Sequence, residues 1–287
     1  MKPLPAVRLQ GPRPRLDPRV HVARPDLVDI ALAGQVAAAR YTVPQPMVCA
    51  VPHIAMRGAA DLAATAVSEL LHGEGFDLFD IVEGWGFGRS AHDHYTGWLP
   101  LAALAEPAAE PAPPSRITAR SAPVFAAPDI KSPVERLLPM GSRINAVPAG
   151  RFRALAGGGY VHGTHVAPLP EPTLLAVARQ FFGAPYVWGG RSPHGVDCSG
   201  LVQASLGFCG VSAPRDSDQQ RDGLGLPVAF EARAPGDLIF FPGHVGIIAP
   251  EDRLLHANAH WMTTCEEPLA DVLERLGEGA VLAVKRL

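Results

Sequence analysis

Along the chain the spacing of apolar positions changes character. In "PDLVDIALAGQVAAARY", residues 25–41, Leu27, Ile30, Ala31, Val36 and Ala37 recur at helical spacing and predict a short amphipathic helix. It follows a Pro- and Arg-rich arm, 1 to about 25, with little to bury. From 46 to about 105 the pattern shortens to strand-like runs. "FDLFDIVEGWGFGR" sets Phe76, Leu78, Asp80 and Val82 on one face and Phe79, Ile81 and Glu83 on the other, with Glu-Gly-Trp as the turn. A Pro-Ala stretch, "AEPAAEPAPPS" at 105–115, predicts an extended spacer. A second strand-rich block, 116–168, ends in "GGGYVHGTHVAPL", which echoes "DHYTGWLPLAAL" in the first and suggests a duplicated small barrel. "LPEPTLLAVARQFFGAPY" then opens a helix, with Pro172 at its start and Gly183 near its end. The expected organisation is an arm and helix over 1–45, barrels over 46–105 and 116–168, and a last unit over 169–287.

Composition narrows the function classes. Proline (30) and glycine (29) favour turns and short strands over long helices. A net charge of −3 supplies no basic footprint for nucleic acid or anionic lipid, and no apolar run is long enough for a bilayer. The prolines and arginines of the first residues interrupt any apolar leader. The four cysteines fall at no metal spacing, so the expected setting is reducing and cytoplasmic. The sequence leaves the oligomeric state open.

Candidate chemistry begins at "YVWGGRSPHGVDCSGLV", residues 186–202, where a loop runs into a helix starting near Cys198 and reaching about Phe208. Amide N–H groups at a helix N-terminus favour a thiolate there. Cys49, Cys209 and Cys265 read as small buried apolar residues, and Cys209 sits at the wrong helix end for an anion. A nucleophilic cysteine needs a base and an orienting partner. "HVGIIAPEDRLLHA" reads as a hairpin. With a three-residue loop at 250–252, Ala249 pairs with Arg253, Gly246 faces His256, and His244 and His256 share a face; a two- or four-residue loop separates them. His162, His165, His194 and His260 read as surface or packing residues.

The motifs "YVWGG…VDCSGLV", "PRDSDQQ", "PGDLIFF", "HVGII" and "LLHANAHW", in this order, resemble the NlpC/p60 family of papain-like cysteine peptidases that cut bacterial cell-wall peptides. The strand-rich blocks look like two bacterial SH3 domains. The fold so implied is α+β, a papain-like domain behind two small SH3-like barrels. The resemblance makes Cys198 the nucleophile, His244 the base, His256 the third member and Tyr186 part of the oxyanion hole. Asp197 and Ser199 would touch substrate, and Asp216 and Ser217 would line the opposite wall, although capping and turn duty explains such residues equally well. Glu74 and Tyr95 would bind the free α-amino group of a murein peptide, with a turn role open for Glu74. The implied reaction is cofactor- and metal-free hydrolysis of the γ-D-glutamyl–L-diamino acid bond, in recycling of L-Ala-γ-D-Glu-diaminopimelate-type peptides. An amidase or acyltransferase shares the same triad. A non-catalytic wall-peptide-binding protein needs no thiolate, and zinc on Cys198, His244 and His256 lacks close-spaced ligand pairs.

Overall fold

The computed structural model describes residues 15–108, 114–169 and 172–287. The start of the arm and most of the Pro-Ala spacer lie outside the described residues. The predicted helix over 25–41 does not form. Asp29 caps a single 3-10 turn, Ile30–Leu32, Val28–Asp29 pairs in parallel with Tyr41–Thr42, and Gly34 turns at φ 84°. The apolar positions do not share a buried face: Leu27 is fully buried whereas Ile30 is 44% exposed. Nor is the arm without a core contact, since Val22 and Leu27 pack on Phe79 and Phe87.

The first barrel is a seven-stranded antiparallel sheet running Ala66–Leu71, His53–Arg57, Thr96–Pro100, Trp85–Ser90, Gly75–Val82, Gln45–Cys49, Leu104–Ala105. Its hairpin turns at Glu83–Gly84, both at positive φ, as a tight type I′ connection demands. Phe76 and Leu78 are buried as the alternation predicts. A bulge between Leu78 and Asp80 then redirects Phe79, which is buried too, against the N-terminal segment. The second block forms a separate six-stranded antiparallel sheet with its own core of Ile117, Val124, Leu138, Ile144 and Val161.

The last unit holds four helices, α1 (Leu174–Ala178), α2 (Cys198–Phe208), α3 (Ser217–Gly223) and α4 (Leu269–Leu276). They accompany a six-stranded antiparallel sheet in the order Leu226–Val228, Ala283–Arg286, Leu238–Phe241, His244–Ala249, Arg253–Asn258, Thr263–Pro268. α1 is capped by Thr173 and continues as a 3-10 turn to Phe181, before Gly183 at φ 71°. One side of α2 and the inner face of the sheet share a core that includes Leu201, Val202, Leu206, Phe240, Val245, Ile247 and Leu255. The start of the His244–Ala249 strand therefore lies beside the start of α2.

Candidate active site

Asp197 is the N-cap of α2. Its Oδ1 accepts from the Gly200 amide at 2.8 Å and its Oδ2 from the Gly189 amide at 2.8 Å, which ties the glycine-rich loop to the helix end. The fully buried Arg215 adds two contacts, at 2.9 and 2.6 Å. Gly200 is required here, because a Cβ would stand 2.2 Å from the Gly190 carbonyl oxygen. Cys198 thus enters as the first helical residue, buried to 5% exposure, with the Val245 and Ser199 amides facing its sulfur.

Those amides do not make it a resting thiolate. Burial, and then the Asp197 charge, push the Cys198 thiol up to about 11. Burial, and then His256, pull His244 down to about 3. Burial thus opposes the helix end, and favours the neutral thiol and the neutral imidazole.

The hairpin adopts the three-residue loop, with Ala249 opposite Arg253 and both Glu251 and Asp252 at positive φ. His244 and His256 share a face, Nε2 to Nδ1 at 2.8 Å. Gly246 leaves room for the Leu254 side chain, which a Cβ there would meet at 2.6 Å. His256 Nε2 lies 2.9 Å from Glu267 Oε1. Burial pushes the Glu267 carboxyl up, but Arg275, Trp261 and His256 more than offset this and hold it at about 2. Arg275 grips both its oxygens, at 2.9 and 2.5 Å, and the Trp261 indole donates at 3.1 Å.

An ionised carboxylate only accepts, so His256 carries its proton on Nε2 and accepts at Nδ1 from His244 Nε2–H. That leaves the lone pair of His244 on Nδ1, ready to take a proton. Asn258 Nδ2 stands 2.8 Å from the same His256 nitrogen, its amide oxygen held by the Trp261 amide. A donor and an acceptor then compete for one nitrogen, and the full negative charge of Glu267 decides the tautomer. His256, Cys265 and Glu267 also bring three metal-type donor atoms within 4.8 Å. Arg275 already places a cation on that carboxylate, which disfavours a second.

Tyr186 packs on the same core, and burial, with the Cys198 and Asp197 charges, raises its phenol, so it stays a proton donor. Ser199 is buried behind the nucleophile, where its hydroxyl accepts from Arg215 at 3.0 Å. Both oxygens of Asp197 are engaged, so capping and loop closure account for it, and substrate contact through its side chain is not what the geometry offers. Ser217 opens α3 and lines a cavity of about 190 Å³ with Phe241 and Gly243, which lead into His244.

Asp216 Oδ2 accepts from Tyr95 Oη at 2.9 Å and from Arg19 Nη1 at 2.8 Å, while Oδ1 has no partner among the described residues. Glu74 is placed otherwise than expected. It is buried against Arg191, at 2.8 and 3.3 Å, and accepts from the Leu71 amide at 2.9 Å, forming a bridge between barrel and catalytic unit instead of a free ammonium site. Burial raises its carboxyl, but Arg191 and His92 outweigh that and hold it at about 2.

Glu267, Arg275, Arg215 and Arg19 escaped the sequence reading. Only Glu267 left a signal: in "TTCEEP" it alternates with Cys265, which pairs with His256, so a third strand would have put Glu267 on the histidine face.

Residues 183–271 match the NlpC/P60 family model and residues 56–104 match the bacterial dipeptidyl-peptidase Sh3 domain. The chain is 37% identical over 95 residues to a bifunctional muramidase/DL-endopeptidase, CwlT, of Bacillus subtilis, covering 30% of this chain and 29% of that protein. It is 38% identical over 93 residues to a γ-D-glutamyl-L-lysine dipeptidyl-peptidase of the same organism, covering 29% and 31%. The chain thus spans about three-tenths of the length of these curated relatives. A crystal structure of an NlpC/P60 family protein from Bacillus cereus superposes with a TM-score of 0.71 at 19% identity, over 84% of this chain and 99% of that one, a likeness of fold. The second β unit has its own sheet and core, but the Sh3 match covers the first alone. The chain therefore carries an NlpC/P60 domain over residues 183–271 and one bacterial Sh3 domain over residues 56–104.

Proposed function

We propose that this protein is a cysteine endopeptidase that hydrolyses the γ-D-glutamyl–L-diamino acid bond of murein peptides, and that its second β unit, 116–168, is a further SH3-like barrel. The observation that carries the reading is the hydrogen-bonded series His244, His256, Glu267 on strands that pack against α2, the helix that Cys198 opens. In the first step the Cys198 thiol gives its proton to His244 Nδ1 as sulfur attacks the γ-glutamyl carbonyl carbon. The oxyanion meets the Tyr186 hydroxyl, which burial keeps protonated. His244 returns the proton to the leaving amine, the C–N bond breaks, and the diamino acid departs from a thioester on Cys198. Water, deprotonated by His244, then releases the glutamyl product and restores the thiol.

For the free α-ammonium of the substrate, the carboxylate in position is Asp216, oriented by Tyr95, and not Glu74. A site that reads an N-terminal L-Ala selects short soluble peptides over intact wall, which suits recycling inside the cell. The test is mass spectrometry of L-Ala-γ-D-Glu-meso-diaminopimelate and its L-lysine counterpart, incubated with the parent and with Cys198→Ala. Release of the diamino acid by the parent alone is expected. Faster turnover of cross-linked wall than of free tripeptide would refute the recycling role.

A further inference from the structure

A cavity of about 360 Å³ lies where the three units meet, away from Cys198, His244, Tyr95 and Asp216. The first barrel contributes Glu74 and His92, the second β unit Arg116 and Arg143, and the catalytic unit Arg191 and Gln203. The contact is tight around it. The Arg143 amide donates to the His72 carbonyl at 2.8 Å, and a Cβ on Gly141 would stand 2.9 Å from Leu71.

The charges on this lining do not balance. Glu74 and Arg191 neutralise one another as a buried pair. Arg116 and Arg143 remain, and neither has an ion pair among the described residues. Arg116 is held by the Gly207 carbonyl at 2.8 Å and over the Phe208 ring at 4.8 Å, which fixes the guanidinium while leaving most of its N–H groups free. Burial, and then Arg143, lower the pKa of Arg116, while Glu74 acts against them. Both ring nitrogens of His92 are buried without a hydrogen bond, apart from a 3.3 Å approach of Nε2 to Asp93. A fixed Arg116 guanidinium and the exposed Arg143, beside an imidazole whose Nδ1 is buried without a hydrogen bond, in a volume of small-ligand size, form a receptor for negative charge.

We propose that this junction binds a small dianion, a dicarboxylate or a phosphate, between Arg116 and Arg143 with His92 closing the site. Each unit supplies part of the lining, so the ligand binds only the assembled molecule and holds the barrels against α2. The inference is independent of the peptidase reading, because its test needs no substrate.

Thermal melts of the full chain with sodium malonate or inorganic phosphate, against sodium chloride at equal ionic strength, provide that test. A saturable rise in Tm with either anion is expected, and the stronger of the two identifies the source. Arg143→Gln should weaken the apparent affinity by about tenfold or more. Arg143 is exposed and holds the fold through its backbone, so the variant should keep the parent's circular dichroism; Arg143→Glu, which puts a carboxylate in the site, should abolish binding. The proposal is overturned if neither anion exceeds chloride, or if the rise survives unchanged in both variants.

Discussion

At the residue scale burial favours a neutral pair of Cys198 and His244, and this has a kinetic signature. With Cys198 raised to about 11 and His244 lowered to about 3, both groups are in their working form between those values. The expected kcat/KM is flat from about pH 5 to pH 9, and alkylation of Cys198 by iodoacetamide should keep rising about tenfold per pH unit into the alkaline range. A plateau of alkylation already at pH 7 would show a standing thiolate. In the proposed mechanism Glu267 acts through His256, by fixing its tautomer and by stabilising the cation formed when His244 is protonated. Glu267→Gln should lower kcat by about 10- to 100-fold with KM nearly unchanged, Glu267→Asp should recover part of it, and the acid limb should shift. A KM effect with kcat preserved would place Glu267 elsewhere in the chemistry.

The same scale shows what a sequence can and cannot display. Cys198, His244 and His256 were legible because one helix start and one hairpin fix them locally. Asp197 and Glu74 carried the right chemistry in the sequence, but their partners, Arg215 and Arg191, lie 18 and 117 residues away. Such partners leave no periodicity to read. The thiolate expectation erred for a related reason: the helix end is visible in a sequence, whereas the burial that opposes it is a property of the packed core.

Among the elements, the segment around Asp17 and Arg19 has the most consequence for substrate choice. Arg19 bonds Asp17, Asp216 and Asp218, so it fastens the N-terminal segment to the start of α3. It also shares Asp216 Oδ2 with Tyr95. Arg19→Ala frees that carboxylate, and KM for a free-amine tripeptide is expected to change at least about threefold while an N-acetylated peptide is unaffected. Equal changes for both peptides would assign Arg19 to folding alone. The predicted helix near this segment failed because helical spacing of apolar residues is necessary and not sufficient: Gly34 and a core contact made by Leu27 alone left no continuous face to bury.

Across the whole molecule, buried charge joins the first barrel to the catalytic unit. Arg191 binds Glu74, the Glu69 carbonyl and Gln203, and Gln203 in turn donates to Asp93 at 2.8 Å. Glu74→Ala would leave Arg191 buried and unpaired, at a cost of about 3–5 kcal/mol, measurable by urea unfolding. A loss below about 1 kcal/mol would mean that water reaches the pair. The sign with pH follows from the lowered carboxyl. The contribution of Glu74 is complete above the ordinary carboxylate range near 4.5 and is lost as pH falls toward about 2. Acid should therefore loosen the barrel from the catalytic unit in that window. The order of the units was readable from the sequence, because each has its own apolar pattern and turn residues. Their mutual fit was not, since it rests on a few polar side chains scattered over three segments.

The Glu74–Arg191 pair also bears on how freely the catalytic domain can be moved between proteins. The two curated relatives align with this chain over 95 and 93 residues. A recombinant catalytic segment grafted behind a different barrel would carry Arg191 into a surface that lacks Glu74. Unless the new partner supplies an acid at that place, the graft inherits a stranded cation beneath the helix that bears its nucleophile. In this chain the barrel completes the surface under α2, and the two would have to be engineered together.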